Sequence, residues 1–353
     1  MKLKKRRSIL TENKYVSGLV SVIIVNYNGG DDVLKCIDSV KEQSYTNYEI
    51  IIIDNDSKDN SLNLIRSKYE NVKIIETGYN AGWGIGCNIG IAESKGEFIS
   101  VVNNDAYLDN MCIEEMVKSI ILKNDYGSCA CKILLSDDTE RIEVVGLCIY
   151  KDGMAISRGR HENKIKYDNS EEVFCASDCV CLYRREMLNE IGLYDTDFFM
   201  YANDSDIGWR QQLYGWKCIY NPASLAYHAH SKSAGNYSDF KAFHVERNRI
   251  FVAFKYFPLF DFMISFYYSF YRYLLQLLLI KSNKGSLSKY KEESSLVNGL
   301  GILIKAYFSF FKAIPLMYKK RRYYFSRCKI TRRTVMNIFK LYGVSAKVIA
   351  SYE

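Results

Sequence analysis

Short apolar runs rich in Ile and Val recur through residues 19–102, and each is followed by polar residues. These runs predict buried parallel strands at Leu19–Val25, Tyr48–Ile53, Val72–Glu76 and Phe98–Val102. Helical patterns lie between these strands. The first helix ends near Gln43, and the next two cover Ser61–Tyr69 and Cys87–Ser94. Because strand and helix alternate at short spacing, the chain is predicted to begin with right-handed βαβ units around a parallel sheet.

The pattern is less regular between Asp109 and Tyr227. Helices are predicted at Ile113–Lys123, Arg184–Ile191 and Asp204–Tyr214, and strands at Leu147–Tyr150, Val180–Tyr183 and Lys217–Tyr220. No internal repeat or low-complexity linker separates this stretch from the first one. We therefore expect residues 18–256 to form one α/β domain.

Residues 257–353 differ in kind from the rest of the chain. Phe257–Ile280 is apolar over a length sufficient to cross a bilayer. It also contains Asp261, Arg272 and Gln276, and it is crowded with Tyr and Phe, which favour the boundary between water and lipid. The pattern is compatible with interfacial helices, with a buried helical cap and with a transmembrane helix.

Basic residues are concentrated near both ends of the chain. A second apolar stretch, Leu300–Met317, runs directly into the basic cluster Lys319–Arg322, and a basic tail covers residues 1–17. Together with the net charge of +8, these segments favour an anionic partner. We expect that partner to be a membrane surface and not nucleic acid, so 257–353 is predicted to be a helical, membrane-associated region.

The composition indicates a globular, reduced protein. Of 353 residues, 48% are hydrophobic and 25% are charged, which supports a real core. The eleven cysteines are scattered and lack the paired Cys-x-x-Cys spacing of a zinc site. No apolar segment follows the basic N-terminus, as it would in a secretion signal. We expect reduced thiols and a cytoplasmic protein at the inner face of the membrane.

Three polar clusters carry the candidate chemistry, namely Asp54–Asp56, Asn103–Asp105 and Asp204–Asp206. Each alone has an ordinary explanation, because Asp and Asn also form turns and cap helices. Two of them follow predicted strands, at the edge where open α/β sheets bind ligands. Carboxylates there, with a later histidine, suit Mg²⁺ or Mn²⁺ bridging a diphosphate, and a further carboxylate suits a general base.

The order of motifs along the chain resembles that of a known family. The motifs are Val20–Asn28, Asp54–Asp59, Asn80–Gly84, Asn103–Asp105, Leu182–Glu186, Gly192–Asp195, Phe198–Tyr201, Asp204–Arg210, Tyr227–His228 and Glu246–Arg249. This order is similar to that of family 2 glycosyltransferases of the rhamnosyltransferase-like branch, over roughly residues 19–256. The resemblance implies the GT-A fold, with a Rossmann-like, mostly parallel sheet flanked by helices.

The resemblance also implies an activity. The chain would be an inverting, metal-dependent enzyme that moves a sugar, such as rhamnose, from a nucleotide-diphosphate donor. The acceptor would be a glycan or a polyprenyl-linked molecule in cell-surface polysaccharide synthesis. Divalent Mg²⁺ or Mn²⁺ would be the cofactor.

Roles for single residues follow from the same resemblance. Asp204 would be the catalytic base, and Asp105 and His228 would hold the metal. Donor contacts are implied for Asn26, Asn28, Asp54, Asn80, Gly82, Trp83, Asn104 and Arg247. Acceptor contacts are implied for Asp206 and Trp209. Asp178, where this chain departs from the family, is a separate hypothesis for a residue that binds acceptor hydroxyls. The segment Asn80–Gly86 is predicted to be a glycine-rich loop, in which glycine permits close backbone approach to the nucleotide.

Several of these residues keep an alternative explanation. Trp209 could be plain core, Arg247 could pair with a core acid, and His228 and His230 could be structural histidines. The resemblance is also imperfect. The first position of the metal-binding motif is Asn103, an amide instead of a carboxylate, so metal binding would depend on charge from the donor's phosphates. Asn203 precedes the base where the family has an acid, and Asp178 stands where it has a small residue.

Two other functions compete with sugar transfer. A nucleotidyltransferase also binds a nucleotide with acids on an α/β sheet, but it usually has a basic, glycine-rich turn after its first strand. Here that turn, Asn26–Gly30, contains no basic residue. A non-catalytic glycan- or membrane-binding relative would be indicated by loss of Asp105 or Asp204, and both are present.

Overall fold

The computed structural model describes residues 15–70, 72–229, 238–280 and 285–352. Residues 1–14, which make up most of the basic tail, lie outside the described residues, and so does His230. The strands are β1 Val16–Asn26, β2 Tyr48–Asp54, β3 Lys73–Glu76, β4 Gly96–Asn103, β5 Ala106–Leu108, β6 Tyr126–Leu135, β7 Ile142–Val144, β8 Leu147–Ile149, β9 Ala155–Ser157, β10 Glu171–Val173, β11 Val180–Arg184 and β12 Lys217–His228.

Helices flank this sheet and make up the C-terminal part. They are α1 Asp32–Lys41, α2 Ser61–Lys68, α3 Trp83–Ala92, α4 Cys112–Ile120, α5 Arg185–Ile191, α6 Asn203–Tyr214, α7 Asp239–Tyr256, α8 Leu259–Leu279, α9 Ser286–Glu293, α10 Leu296–Arg327, α11 Arg332–Tyr342 and α12 Ala346–Ser351.

Within the described residues, a ten-stranded sheet is the centre of the fold. Eight strands follow the order β10-β12-β6-β11-β4-β1-β2-β3, β5 pairs with β12, and β7 pairs with β6. Strands β3, β2, β1 and β4 are parallel, as the βαβ pattern predicts. Strand β11 inserts antiparallel between β4 and β6, and β12 runs parallel to β6. The carboxyl ends of β1, β2 and β4 therefore meet at one edge, which carries two of the polar clusters.

The structure corrects the prediction for the glycine-rich segment. Helix α3 already begins at Trp83, so only Asn80–Gly82 is loop and the later glycines are helical. They serve close packing, because a Cβ on Gly90 would lie 2.5 Å from a side-chain carbon of Ile23, and one on Gly86 would lie 3.0 Å from Val25. Because these glycines have no Cβ atoms, the backbone of α3 can pack directly against side chains of β1.

The sequence pattern missed the central strand β6. All ten of its residues are buried. In its sequence, Tyr-Gly-Ser-Cys-Ala-Cys-Lys-Ile-Leu-Leu, the opening Tyr126 is followed by a run of small residues that gives no clear strand signal. Its position between β11 and β12 comes from tertiary pairing. All eleven cysteines are free.

Helix α8 buries its polar side and exposes its apolar side. The buried polar residues include Asp261, Arg272 and Gln276. The Arg272 guanidinium donates to Asp152, at 2.8 Å, and to Glu246, at 3.0 Å. These ion pairs hold α8 against the α/β domain. They are formed by Arg272, a charged residue that is atypical of a helix spanning lipid.

Helix α10 packs along the same domain. Its buried residues Ala306, Phe310 and Met317 belong to the core, and Lys320 forms ion pairs with Asp195 and Asp197. Among the described residues, one helix, Val297–Arg327, is long and apolar enough to cross a membrane by length and composition alone.

Candidate active site

The edge formed by β1 and β2 presents paired polar side chains. Asn26 and Asp54 are register neighbours, both buried, and the Asn26 amide donates to the Asp54 carboxylate at 2.9 Å. The Asn104 side chain, after β4, donates to the side-chain oxygen Oδ1 of Asn26 at 3.2 Å. The structure thus brings three residues predicted to contact the donor into one hydrogen-bonded row.

The loops around this row adopt backbone conformations that L-residues rarely use. Asn28 has φ of 53° and its side chain accepts from the Lys58 backbone N–H at 2.7 Å, and Asp56 has φ of 65°. Phe199 and Tyr201, just before α6, have φ of 58° and 65°. Such conformations cluster at functional sites, where the surrounding structure holds them in place.

The segment Asn80–Trp83 joins the two groups of loops. Gly82 has φ of 81°, and a Cβ there would lie 2.6 Å from the Phe199 carbonyl oxygen. The Asn80 side chain accepts from the Gly82 N–H at 3.1 Å, and the Trp83 N–H donates to the Phe199 oxygen at 2.8 Å. A side chain at Gly82 would push this segment away from the loop that leads to Asp204.

Asp105 and His228 lie side by side, as predicted for metal ligands. The Nε2 atom of His228 is 2.9 Å from Asp105 Oδ1, and its Nδ1 atom is 2.8 Å from both carboxylate oxygens of Glu143. The contact arises because β12 pairs antiparallel with β5, which opposes His228 to Ala106. Glu143, which the sequence did not single out, fixes the orientation of the imidazole.

This pair fits a divalent cation only with help from other ligands. Among the described residues, no group of three or more His, Cys, Asp or Glu side chains is arranged to hold a metal. Asp105 and His228 supply an oxygen and a nitrogen of suitable chemistry. Since Mg²⁺ and Mn²⁺ prefer higher coordination, the remaining ligands would be donor phosphate oxygens and water.

Asp204 lies in the first turn of α6, where its half-buried carboxylate accepts from the Ser205 backbone N–H at 2.7 Å. Burial raises its pKa to about 6. The residue that precedes the helix is Ala202, in the left-handed conformation, so the cap position is not occupied by Asp204. A carboxylate with a pKa just below neutrality is suited to general-base catalysis at physiological pH.

Comparison with known proteins identifies the family of the part of the chain that ends at residue 192. A sequence model described as glycosyl transferase family 2 matches residues 21–192. Residues 21–192 belong to glycosyl transferase family 2. The family and the GT-A fold implied by the motif order are confirmed.

Individual relatives match more narrowly. The glycosyltransferase GlyG of Streptococcus pneumoniae serotype 4 is 30% identical over 108 residues, which is 30% of this chain and 36% of GlyG. The matches to the first curated relatives cover 36%, 15% and 52% of their lengths.

Two solved structures share the fold. GalNAc-T7 with UDP, GalNAc and Mn²⁺ superposes with a TM-score of 0.57 at 17% identity, covering 71% of this chain and 49% of that one. The mannosyltransferase PcManGT from Pyrobaculum calidifontis with GDP-Man and Mn²⁺ has a TM-score of 0.52 at 16% identity, covering 87% and 84%.

Two residues predicted to contact the acceptor lie in the interior of the protein. Asp206 is fully buried and pairs with Lys255 and Arg210, and Trp209 is 1% exposed. Trp209 packs against Phe174, Tyr256, Phe257 and Phe339. Residues two positions apart on a helix point in nearly opposite directions, so Asp206 is buried in the core while Asp204 stays partly exposed. The geometry favours the core explanation for Trp209.

Arg247 supports the strained loop that precedes α6. Its Nη2 atom donates to the carbonyls of Asp197 and Phe198 at 3.2 and 3.0 Å, and its Nε atom donates to Asn248 Oδ1 at 2.9 Å. The buried Asn248 amide in turn donates to the carbonyls of Phe198, Met200 and Tyr201. Asn248 lay inside the motif Glu246–Arg249, but nothing in the sequence indicated that it holds this loop.

Proposed function

We propose that this chain transfers a sugar from a nucleotide-diphosphate donor to a hydroxyl of a glycan or lipid-linked acceptor, with inversion at the anomeric carbon. The observation that carries the proposal is the half-buried Asp204 carboxylate beside a loop that contacts the donor-side segment Asn80–Trp83. Rhamnose as the sugar, and surface polysaccharide as the product, rest on the motif order alone.

The proposed reaction is a single in-line displacement. Asp204 takes the proton of the acceptor hydroxyl as that oxygen attacks the anomeric carbon. The new glycosidic bond forms as the bond to the nucleoside diphosphate breaks, and the diphosphate leaves with the bonding electrons. The proton then passes from Asp204 to solvent. The anomeric configuration of the product, measured by ¹H NMR, should be opposite to that of the donor; retention would contradict the mechanism.

Asp105 and His228 would hold the divalent cation of the proposed reaction. When bound, the cation neutralises charge on the leaving diphosphate. Glu143 keeps the His228 imidazole oriented, with Nδ1 occupied and Nε2 directed at Asp105. GalNAc-T7 and PcManGT, which share the fold, were both solved with Mn²⁺ and a nucleotide or nucleotide sugar, which supports a metal at this site.

Glu143→Gln is therefore expected to weaken Mn²⁺ binding in the presence of UDP or GDP by about 10–100-fold, because it loosens the orientation of a ligand histidine. Electron paramagnetic resonance of free Mn²⁺ measures this without turnover. Glu140→Gln is the matched control, since Glu140 is exposed and pairs with Lys164. Unchanged Mn²⁺ affinity in Glu143→Gln would contradict the assignment of His228.

An apolar face on the C-terminal helices supports a membrane surface as a partner. The helices meet where Phe262 and Phe266 of α8 contact Phe310 and Tyr307 of α10. Both helices also carry exposed apolar side chains. Together these are called the apolar face, which comprises Leu259, Phe260, Met263, Tyr267, Phe270, Tyr271, Leu274, Leu277, Leu278, Val297, Leu300, Ile304, Phe308 and Phe311.

The apolar face is larger than the scattered apolar residues of a soluble surface. Exposed Lys305 and Lys312 lie on α10 beside it, and exposed Lys319 and Arg322 follow on the same helix. Apolar insertion combined with basic residues is the chemistry of binding to anionic lipid. We propose that α8 and α10 lie in the membrane interface at the cytoplasmic face, which would place the site beside a lipid-linked acceptor.

Phe308→Ser combined with Phe311→Ser is expected to reduce binding to mixed phosphatidylcholine and phosphatidylglycerol vesicles by roughly tenfold or more, because two exposed aromatic rings are lost. Vesicle co-sedimentation of the full chain measures the bound fraction. Leu122→Ser is the matched control, since Leu122 is 73% exposed elsewhere on the α/β domain. Equal binding by the double variant and the control would contradict the membrane assignment.

A further inference from the structure

Lys320 of helix α10 faces the α/β domain, although it lies within the basic cluster Lys319–Arg322. Its side chain is 24% exposed, and its Nζ atom forms ion pairs with Asp195 and with Asp197. The guanidinium of the neighbouring Arg321 donates to two backbone carbonyls, one near the end of α7 and one just after it. Two of the four basic residues in the cluster therefore contact the protein itself.

The two aspartates lie in the loop that leads from α5 to α6. Asp195 is buried, and it also pairs with the fully buried Lys255 at 2.5 Å. The backbone N–H of Asp197 donates to Asp195 Oδ1 at 3.1 Å, so the two residues form one turn. Because Lys320 pairs with both carboxylates, it joins the C-terminal helix α10 to this turn.

The loop between this turn and Asp204 has a backbone that requires support. Phe199, Tyr201 and Ala202 have φ of 58°, 65° and 59°. Residues other than glycine adopt such values only where surrounding contacts hold them. The Phe199 carbonyl oxygen accepts from the Trp83 N–H at 2.8 Å. A displaced loop would therefore displace the donor-side segment as well.

Helices α7 and α10 support this loop in different ways. Arg247 and Asn248 of α7 donate to backbone carbonyls within residues 197–201. Lys320 instead neutralises the carboxylates where the loop begins. Since both carboxylates contact the same ammonium nitrogen, they are close to each other, and without Lys320 they would repel. The contacts from α7 do not replace this charge.

We propose that Lys320 is a positioning residue for sugar transfer, which holds the loop between the donor-side segment and Asp204 from the C-terminal helix α10. The inference rests on the proposed function, because it assigns Lys320 to the site of that reaction. The family match ends at residue 192, so this contribution comes from outside the matched part of the chain. The C-terminal region then completes the geometry of the site, in addition to its proposed role at the membrane.

Lys320→Met keeps most of the length of the side chain and removes its charge. It is expected to lower kcat by about 10–100-fold, because a displacement of about 1 Å near the reacting atoms can cost that much. Lys320→Arg should restore kcat to within about threefold of the wild type, since a guanidinium can also bridge two carboxylates. Lys340→Met is the matched control, because Lys340 is an exposed lysine on α11, and it should keep the wild-type kcat.

Asp197→Asn breaks the same ion pair from its other, partly exposed partner. It should lower kcat as Lys320→Met does, and it provides the test if Lys320→Met does not fold. The double variant should lose little more activity than either single variant, because both substitutions remove one shared contact.

Trp83 provides a measurement that needs no turnover. It is partly exposed, its backbone N–H contacts the loop, and its indole donates to the buried Asp178 carboxylate at 3.2 Å. The other two tryptophans of the chain, Trp209 and Trp216, are buried. Displacement of the loop should therefore increase the quenching of tryptophan fluorescence by acrylamide through Trp83.

This quenching should increase in Lys320→Met and Asp197→Asn and stay at the wild-type level in Lys320→Arg. The same substitutions on a Trp83→Phe background should leave it unchanged. Unchanged kcat or unchanged Trp83 quenching in the folded Lys320→Met and Asp197→Asn variants would overturn the inference, as would an equal loss of kcat in Lys320→Arg. Failure of the proposed function appears separately, as the absence of transfer in the wild type.

Discussion

Asp204→Asn is expected to reduce sugar transfer by roughly 10²–10⁴-fold, the range over which a positioned general base contributes to catalysis. The amide keeps the size of the side chain and can still accept from the Ser205 N–H, but it cannot take a proton from an acceptor hydroxyl. Because binding of the donor does not depend on this proton transfer, KM for the nucleotide sugar should change little. Initial rates with saturating donor and acceptor measure the loss.

The same substitution should leave the protein folded. Burial raises the pKa of Asp204 to about 6 in the folded protein. The protonated carboxyl therefore stabilises the fold at pH values below the pKa of Asp204 in the unfolded chain, and this contribution is lost as pH rises through about 6. Removing the charge therefore leaves the free energy of unfolding at pH 8 unchanged or slightly higher. Asp56→Asn is the control for loss of a carboxylate near the site, because Asp56 forms a partly exposed ion pair with Lys58. Near-normal transfer by Asp204→Asn would eliminate it as the base.

Asp206→Ala is expected to lower the free energy of unfolding by about 3–5 kcal/mol, although the residue is only two positions from Asp204. Asp206 is fully buried, where it pairs with Lys255 and Arg210 and accepts from the Tyr256 hydroxyl at 2.7 Å. Its removal leaves two buried cations with reduced compensation. Denaturant unfolding at neutral pH measures the change.

Asp32→Ala is the control for Asp206→Ala, because it breaks an exposed pair with Lys35 and should cost no more than about 1 kcal/mol. If Asp206→Ala were as stable as this control and instead raised the acceptor KM, Asp206 would be an acceptor residue after all. The two substitutions on α6 therefore have different expected effects. Asp204→Asn lowers the rate of sugar transfer, and Asp206→Ala lowers the free energy of unfolding.

Much of the α/β half was predictable because its strands are long Ile and Val runs with polar ends. Strands β1 and β4 extend beyond their predicted cores by one to three residues at each end, and β2 extends by one residue at its C-terminal end, which reflects pairing with neighbours. Strand β6 and the early start of α3 were not predictable from local pattern. The first depends on burial between β11 and β12, and the second on glycines that pack against β1.

The site was predictable where chemistry coincides with strand ends. Asn26, Asp54 and Asn104 follow strands that meet in the sheet, and Asp105 reaches His228 because β5 pairs with β12. Side-chain direction on α6 could not be read from composition, so Asp206 and Trp209 were placed with the acceptor. Glu143 carries no local signal, since its contact with His228 joins residues that are far apart in the chain.

The most direct test of the account is a product assay on the full chain. The purified protein is incubated with Mn²⁺ and a panel of nucleotide sugars and, in parallel, with nucleoside triphosphates plus sugar 1-phosphates. We predict metal-dependent release of a nucleoside diphosphate from at least one nucleotide sugar, and its loss in Asp204→Asn. Release of pyrophosphate from a triphosphate, with no diphosphate released from any nucleotide sugar, would contradict sugar transfer and identify a nucleotidyltransferase.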